Sequence, residues 1–153
     1  MSATTFDSLV GQVAPFFQGA PYILFEPAFV HSARELCKRA KCWNEWQNIT
    51  LIANDSSYPL VSPVGASVRN IRAVLSPSGR VLEPLSNDDL IRNKSYLLSA
   101  TGEPSAYVIN ADMSLQLYPC PTVDQAGMVE KVRVSFIPDT DSTSIPAELI
   151  ERF

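Results

Sequence analysis

The stretch from Pro27 to Trp46, PAFVHSARELCKRAKCWNEW, sets the terms for the rest of the chain. Phe29, Ala33, Leu36, Ala40 and Trp43 recur at steps of three and four, with Val30 and Cys37 beside them. At roughly 100° per residue such positions form one apolar stripe along a helix. Pro27 suits a first turn, where a missing N–H has no intrahelical partner to lose. No other segment carries a helical pattern of comparable length. The spacing therefore predicts an α+β fold, with one long amphipathic helix packed on antiparallel β-hairpins and short flanking helices.

On another face of the predicted helix, Arg34, Lys38 and Lys41 follow at steps of four and three, joined by Arg39. The acids of the stretch are Glu35 and Glu45, so it is net basic. The whole chain has 12 Lys and Arg against 16 Asp and Glu, a net charge of −4, and the acidic excess lies elsewhere. The basic row reads either as a docking surface for an acidic partner or as a solvated helix face. The acidic balance argues against a sequence-nonspecific nucleic-acid binder, which needs basic charge along a groove.

A length of 153 residues with 46% hydrophobic and 18% charged residues fits one globular domain with a core of its own. Within it, residues 1–26 read as an N-terminal aromatic arm and 27–153 as the main body. No apolar run approaches the roughly 20 residues that span a bilayer, so no membrane is expected. MSATTFDSLVGQ has no basic region ahead of an apolar one, unlike a secretory leader, and synthesis and assembly in a cytoplasm are expected.

The arm holds a short helix, Thr5 to Val13, and then APFFQGAPYILFEP, broken by Pro15, Gly19 and Pro21. Phe16, Phe17, Tyr22 and Phe25 crowd into that segment, as a lid over the main helix or as an arm reaching a neighbouring subunit. After Trp46, QNITLIAND reads as a strand closed by the turn Asn54–Ser57, and Tyr58-Pro-Leu-Val as an edge segment. VRNIRAVL, the turn at 77–79 and RVLEPL read as a hairpin. Ser86 and Asp89 form a capping-box-like pair, with Leu85 and Leu90 at staple positions, and open a short helix. SAYVIN and MSLQLY make a second hairpin. Val129–Ile137 is the clearest strand, Val132, Val134 and Phe136 inward and Lys131, Arg133 and Ser135 outward. In the closing IPAELIERF, Ser144 is placed to cap, Pro146 to sit in a first turn, and Leu149, Ile150 and Phe153 to begin an apolar face.

Chemistry is sparse. His31 is the only imidazole, so a zinc site lacks a second one, and neither metal nor cofactor is expected. Cys37 and Cys42, five apart, lie about 140° apart around a regular helix and cannot pair within it. With Cys120 they read as buried small hydrophobes. No nucleophile elbow, phosphate loop or metalloprotease motif is present. A Cys–His–Asp triad gathered from distant segments is the one catalytic form the composition allows, and an enzyme is not expected.

The order of these segments resembles the head-to-tail adaptor family of tailed bacteriophages, especially the tubular or tail-accessory adaptors of short-tailed phages. The likeness rests on A-R-E-L-C-K-R-A-K-C-W, then N-I-T-L-I-A-N-D followed by Y-P-L. It continues with G-E-P-S-A-Y-V-I followed by L-Q-L-Y-P-C-P, and with V-R-V-S-F-I-P-D-T-D-S-T-S-I-P-A-E-L. Together these span about residues 27–150, the adaptor domain that the resemblance implies.

The resemblance implies a structural virion protein that forms a cyclic homo-oligomer, a dodecamer, between the phage portal protein and the tail nozzle or tube. DNA passes through its channel without specific binding, and the acidic balance suits that passage. A ring needs two complementary surfaces on each subunit. The interface candidates are Phe16 and Phe17 on the arm, Arg34, Lys38 and Lys41 on the helix, and the acids Asp88, Asp89, Asp139 and Asp141. The alternative is a β-rich carbohydrate-binding tail accessory module, with Tyr58, Tyr96, Tyr107 and Tyr118 exposed for stacking on sugars.

Overall fold

A computed structural model of the chain describes residues 3–151. In order, the elements are β1 (Ala3–Thr5), α1 (Phe6–Val13), α2 (Phe25–Ala40), β2 (Asn44–Thr50), β3 (Ser57–Tyr58), β4 (Ala66–Leu75) and β5 (Glu83–Leu85). They continue with α3 (Asn87–Arg92), α4 (Tyr96–Ser99), β6 (Ala106–Ile109), β7 (Leu115–Tyr118), β8 (Val129–Pro138), β9 (Ser144–Pro146) and α5 (Ala147–Glu151). The chain divides into two compact units, one drawn from Met1–Asn44, Ser62–Ser67 and Ser135–Phe153, the other from Glu45–Val61 and Val68–Val134.

In the first unit, Thr5 ends β1 and caps α1, its Oγ1 accepting from the Ser8 N–H at 3.3 Å. β1 pairs antiparallel with β9, Thr4 opposite Ile145. Phe6, Val30, Ala33 and Ile145 form one buried cluster, with Leu9, Phe29 and Ile150 packed against it. Helix α2 thus buries a narrow side against α1 and β9. Pro27 stands in its first turn, where the missing donor costs no helical bond. At the other end Lys41 adopts a left-handed backbone (φ 49°, ψ 41°), its N–H donating to the Cys37 carbonyl at 3.1 Å.

A second corner of this unit closes where the Asp139 N–H donates to the Gly65 carbonyl at 2.9 Å and the Ser67 hydroxyl donates to the Asp139 carboxylate. Gly65 has φ +73°, and a Cβ there would stand 3.0 Å from the Ser142 Oγ, so glycine answers both the backbone and the space.

In the second unit, a four-stranded sheet runs in the order β3-β7-β6-β5. β6 and β7 pair antiparallel with Tyr107 opposite Leu117, and two-residue β3 lines the outer edge of β7. β5 joins β6 in parallel, Pro84 opposite Tyr107, on the other edge, where a proline disrupts no inner ladder. Leu90, Leu97, Ala106 and Val108 form the cluster beneath this sheet, with Leu85 and Tyr118 against it, so α3 and α4 supply the floor for the hairpin. A three-stranded sheet has the order β2-β8-β4, and β4 and β8 contribute residues to both units.

Several expectations are corrected. The fold mixes α and β, but it is not one long amphipathic helix on antiparallel hairpins. Among the described residues nine strands form three sheets, and the helices longer than one or two turns have eight and sixteen residues. Helical spacing alone carries Pro27–Trp46 forward, whereas the chain leaves the helix at Lys41 because Trp43 has a better burial elsewhere. Its ring packs on Phe136, its carbonyl accepts from the Phe136 N–H at 2.9 Å, and strand β2 follows. The segment VRNIRAVL-PSG-RVLEPL makes its turn, with Ser76 N–H to Arg80 carbonyl and Leu82 N–H to Val74 carbonyl both at 2.8 Å. Beyond the bridge of Leu75 with Val81, however, the second arm departs and pairs in parallel with β6, so no full hairpin forms. Ser144 stands in β9 and not at a cap, Ser135 is buried with the whole of Ser135–Pro138, and Phe153 lies outside the described residues. The edge β3, the capped helix after Ser86 and the β6–β7 hairpin stand as expected.

Candidate functional site

The aromatic segment between α1 and α2 builds the most conspicuous surface of the first unit. Pro15 and Pro21 prevent a continuous helix, and the backbone instead makes two short 3-10 turns, Ala14–Phe16 and Tyr22–Leu24. Gly19 lies between them at φ +88°. Phe25, the first residue of α2, gathers the segment: Phe17 meets it edge-on at 6.0 Å between centroids and Tyr22 at 6.5 Å. The Tyr22 hydroxyl donates to the Asp7 carboxylate at 2.8 Å, and this bond, foremost, raises the phenol pKa. The segment is thus tied back onto its own helices.

What the ties leave outward is apolar. Phe16 is 83% exposed and Ile23 79%, with Phe17, Tyr22 and Leu24 also more than half exposed. Beside them a groove of about 330 Å³ is lined by Val13, Phe17, Ala20, Leu24, Phe25 and Phe29. Projecting aromatics next to an apolar groove are what a protein contact takes up, and a contiguous apolar patch of this kind marks such a contact.

The basic row is less uniform than its spacing suggests. Arg34 is half-buried and its guanidinium donates to the Pro138 carbonyl, within the same unit. Lys38 pairs with Glu35 at 2.8 Å, and Arg39 approaches the same carboxylate at 3.7 Å. The Lys38 hydrogen bond, first, holds Glu35 below the usual carboxylate range. Lys41 is exposed at the helix end, off the helical row. Of the acids, Asp139 is engaged by Ser67, and Asp141 is exposed nearby in sequence. Asp88 and Asp89 open α3 in the second unit. There the Ser86 hydroxyl hydrogen-bonds Asp89 at 2.6 Å and lowers its pKa, while Asp88 is exposed.

Other candidates fare differently. Tyr58 and Tyr107 are buried, Tyr118 is half-buried and only Tyr96 of the four is exposed, which removes the stacking platform from the carbohydrate reading. Among the described residues no group of three His, Cys, Asp or Glu could hold a metal ion, and no helix is long and apolar enough to cross a membrane. Cys37 and Cys42 do not both lie in a regular helix, since α2 stops at Ala40, and their sulfurs are 3.7 Å apart as free thiols.

One residue escaped sequence reasoning altogether. Glu130, on the inward side of β8 with Val132 and Val134, is fully buried, and neither carboxylate oxygen has a hydrogen-bond partner. Burial, first, and the nearby Glu103 charge push its pKa up to about 7. Its place in the strict alternation of V-E-K-V-R-V was the signal available: the inward set of that strand begins two residues before Val132, at Glu130.

A family model for SU10 adaptor protein matches residues 4–152, nearly the whole chain, and the chain belongs to that family, one of phage head-to-tail adaptors. The family is structural and not enzymatic, and its members are virion components. No curated protein matches the chain.

Proposed function

We propose, from its membership of the SU10 adaptor family, that the chain is the repeating subunit of a closed ring between the capsid's portal and the tail of a short-tailed phage. Portal protein on one side and tail nozzle or tube protein on the other are its partners, DNA passes through the central opening, and assembly takes place in the host cytoplasm. Twelve copies are the number that the family resemblance implies.

The observation that carries this reading is the apolar surface of Phe16, Phe17, Ile23 and Leu24 in a member of an adaptor family. A cyclic assembly larger than a dimer uses two unlike surfaces per subunit. The aromatic segment supplies one, and much of the binding energy comes from its burial. Rim charges set register and rate: Arg34, Lys38 and Lys41 on one subunit face acids drawn from Asp88, Asp89, Asp139 and Asp141 on the next. The net charge of −4 suits an opening through which DNA slides without adhering. The free chain is largely monomeric and closes into a ring on the portal, where neighbours and template act together.

Imaging the chain mixed with its portal protein tests this. Class averages with a closed ring and a central hole on the portal are expected. Discrete single copies on the portal, or no association, overturn the reading.

A further inference from the structure

We propose that Cys37 and Cys42 form a disulfide under a peroxide, a covalent latch that joins the last turn of α2 to the start of the segment entering β2. The sulfurs stand 3.7 Å apart, within reach of side-chain rotation. That closeness is built by the backbone: Lys41 turns left-handed, donates to the Cys37 carbonyl, and brings Cys42 back over the helix end. Asn44 reinforces the turn, its side-chain amide donating to the Lys41 carbonyl. Trp43 then anchors the outgoing chain on Phe136, so both cysteines sit on restrained backbone within one unit.

The two thiols differ in a way that orders the chemistry. Cys37 is buried, and desolvation, with Cys42 beside it, pushes its thiol up to about 12, so it stays protonated. Cys42 is half-buried and meets the oxidant first. Its sulfur attacks one oxygen of hydrogen peroxide, the O–O bond breaks, and the departing hydroxide leaves as water with the Cys42 proton. A sulfenic acid remains on Cys42. The Cys37 proton passes to the sulfenic oxygen as the thiolate so formed attacks the Cys42 sulfur, the S–S bond forms, the S–O bond breaks, and the oxygen departs as water. Two thiols lose two electrons in all, and one peroxide becomes two waters.

A virion component is made among reduced thiols and meets oxidants after release, so the latch stays open during assembly and closes in the particle. The chemistry belongs to the free chain and is independent of whether a ring forms.

The test oxidises the reduced full chain with hydrogen peroxide, then blocks remaining thiols with iodoacetamide in denaturant and maps the peptides by mass. A Cys37–Cys42 linkage, lighter by two hydrogens, with Cys120 alkylated, is expected. Thermal unfolding of the oxidised chain should shift up by a few degrees, and the shift should vanish in Cys42→Ser treated the same way. Alkylated Cys37 beside sulfinic acid at Cys42, or disulfides that link separate copies through Cys120, overturn the latch.

Discussion

The indole of Trp43 lies against the ring of Phe136, their centroids 5.9 Å apart and their planes tilted by 56°. The Trp43 carbonyl also accepts the Phe136 N–H at 2.9 Å, so one residue contributes both a side-chain and a backbone contact to the first unit. Trp46, three residues on, is 52% exposed against 4% for Trp43, and stacks under the Arg133 guanidinium at 6.0 Å. Trp43→Ala is expected to cost about 3–5 kcal/mol and to unfold a marginal domain, and Trp46→Ala less than about 1 kcal/mol. Urea unfolding of both variants measures the difference. Equal losses would mean that the buried ring is not what holds this corner.

Glu130 predicts a pH dependence of stability. Its folded pKa, about 7, stands above the ordinary carboxylate value of 4.5, so between those pH values the folded state binds a proton that the unfolded state has released. Stability is therefore greatest below about pH 4.5 with respect to this group, and falls as pH rises through 7. The shift corresponds to about 3 kcal/mol, since each unit is about 1.4 kcal/mol. The charged neighbour that bears on it is Glu103. Glu130→Gln should flatten the decline between pH 5 and pH 8 in denaturant titrations. A decline of the same depth in the variant would assign the dependence to other groups.

These two sites show where sequence reasoning carries and where it stops. That Trp43 is buried and Trp46 is not follows from the apolar stripe, although the stripe attributes it to a helix that has already ended at Lys41. A helical period and the approach to a strand share three- and four-residue spacings over so short a run, and only the tertiary contact with Phe136 decides between them. The Ser86 cap and the β6–β7 hairpin were legible because local turn chemistry fixes them. The pairings β1–β9 and β5–β6 were not: three-residue strands carry little periodicity, and their partners lie far along the chain. At the candidate site the aromatic cluster was legible from composition. The side-chain bonds that occupy Arg34, Lys38 and Asp139 are long-range or rotamer-dependent, and spacing cannot express them.

The aromatic surface makes a prediction that separates folding from assembly. Phe16 is largely exposed, so Phe16→Asp should leave the melting temperature of the free chain within about 1–2 °C of the parent. The same variant should fail to close rings on the portal, because a carboxylate would have to be buried at the subunit contact without a partner. Phe17 touches Phe25 and is a poorer choice, since its loss also loosens the segment. Normal rings from Phe16→Asp would move the contact elsewhere.

The proposed ring makes a prediction about how its subunits meet. Opposed rim charges guide encounter and register more than they supply affinity. Reversing Lys38→Glu together with Lys41→Glu should slow assembly, and the defect should shrink as salt rises, because charges separated by more than about 10 Å are screened near 0.1 M. The reversal has a local consequence to be controlled: Lys38 is paired with Glu35, so a glutamate there adds like-charge repulsion within the helix. Replacing Glu35→Lys in the same background restores the internal pair with its signs exchanged, while the surface stays less basic than the parent. If the rate defect is an interface effect, it should persist in this triple variant and keep its salt dependence. If the triple variant assembles at the parent's rate, the pair acts only within its own helix, and the row is a solvated face.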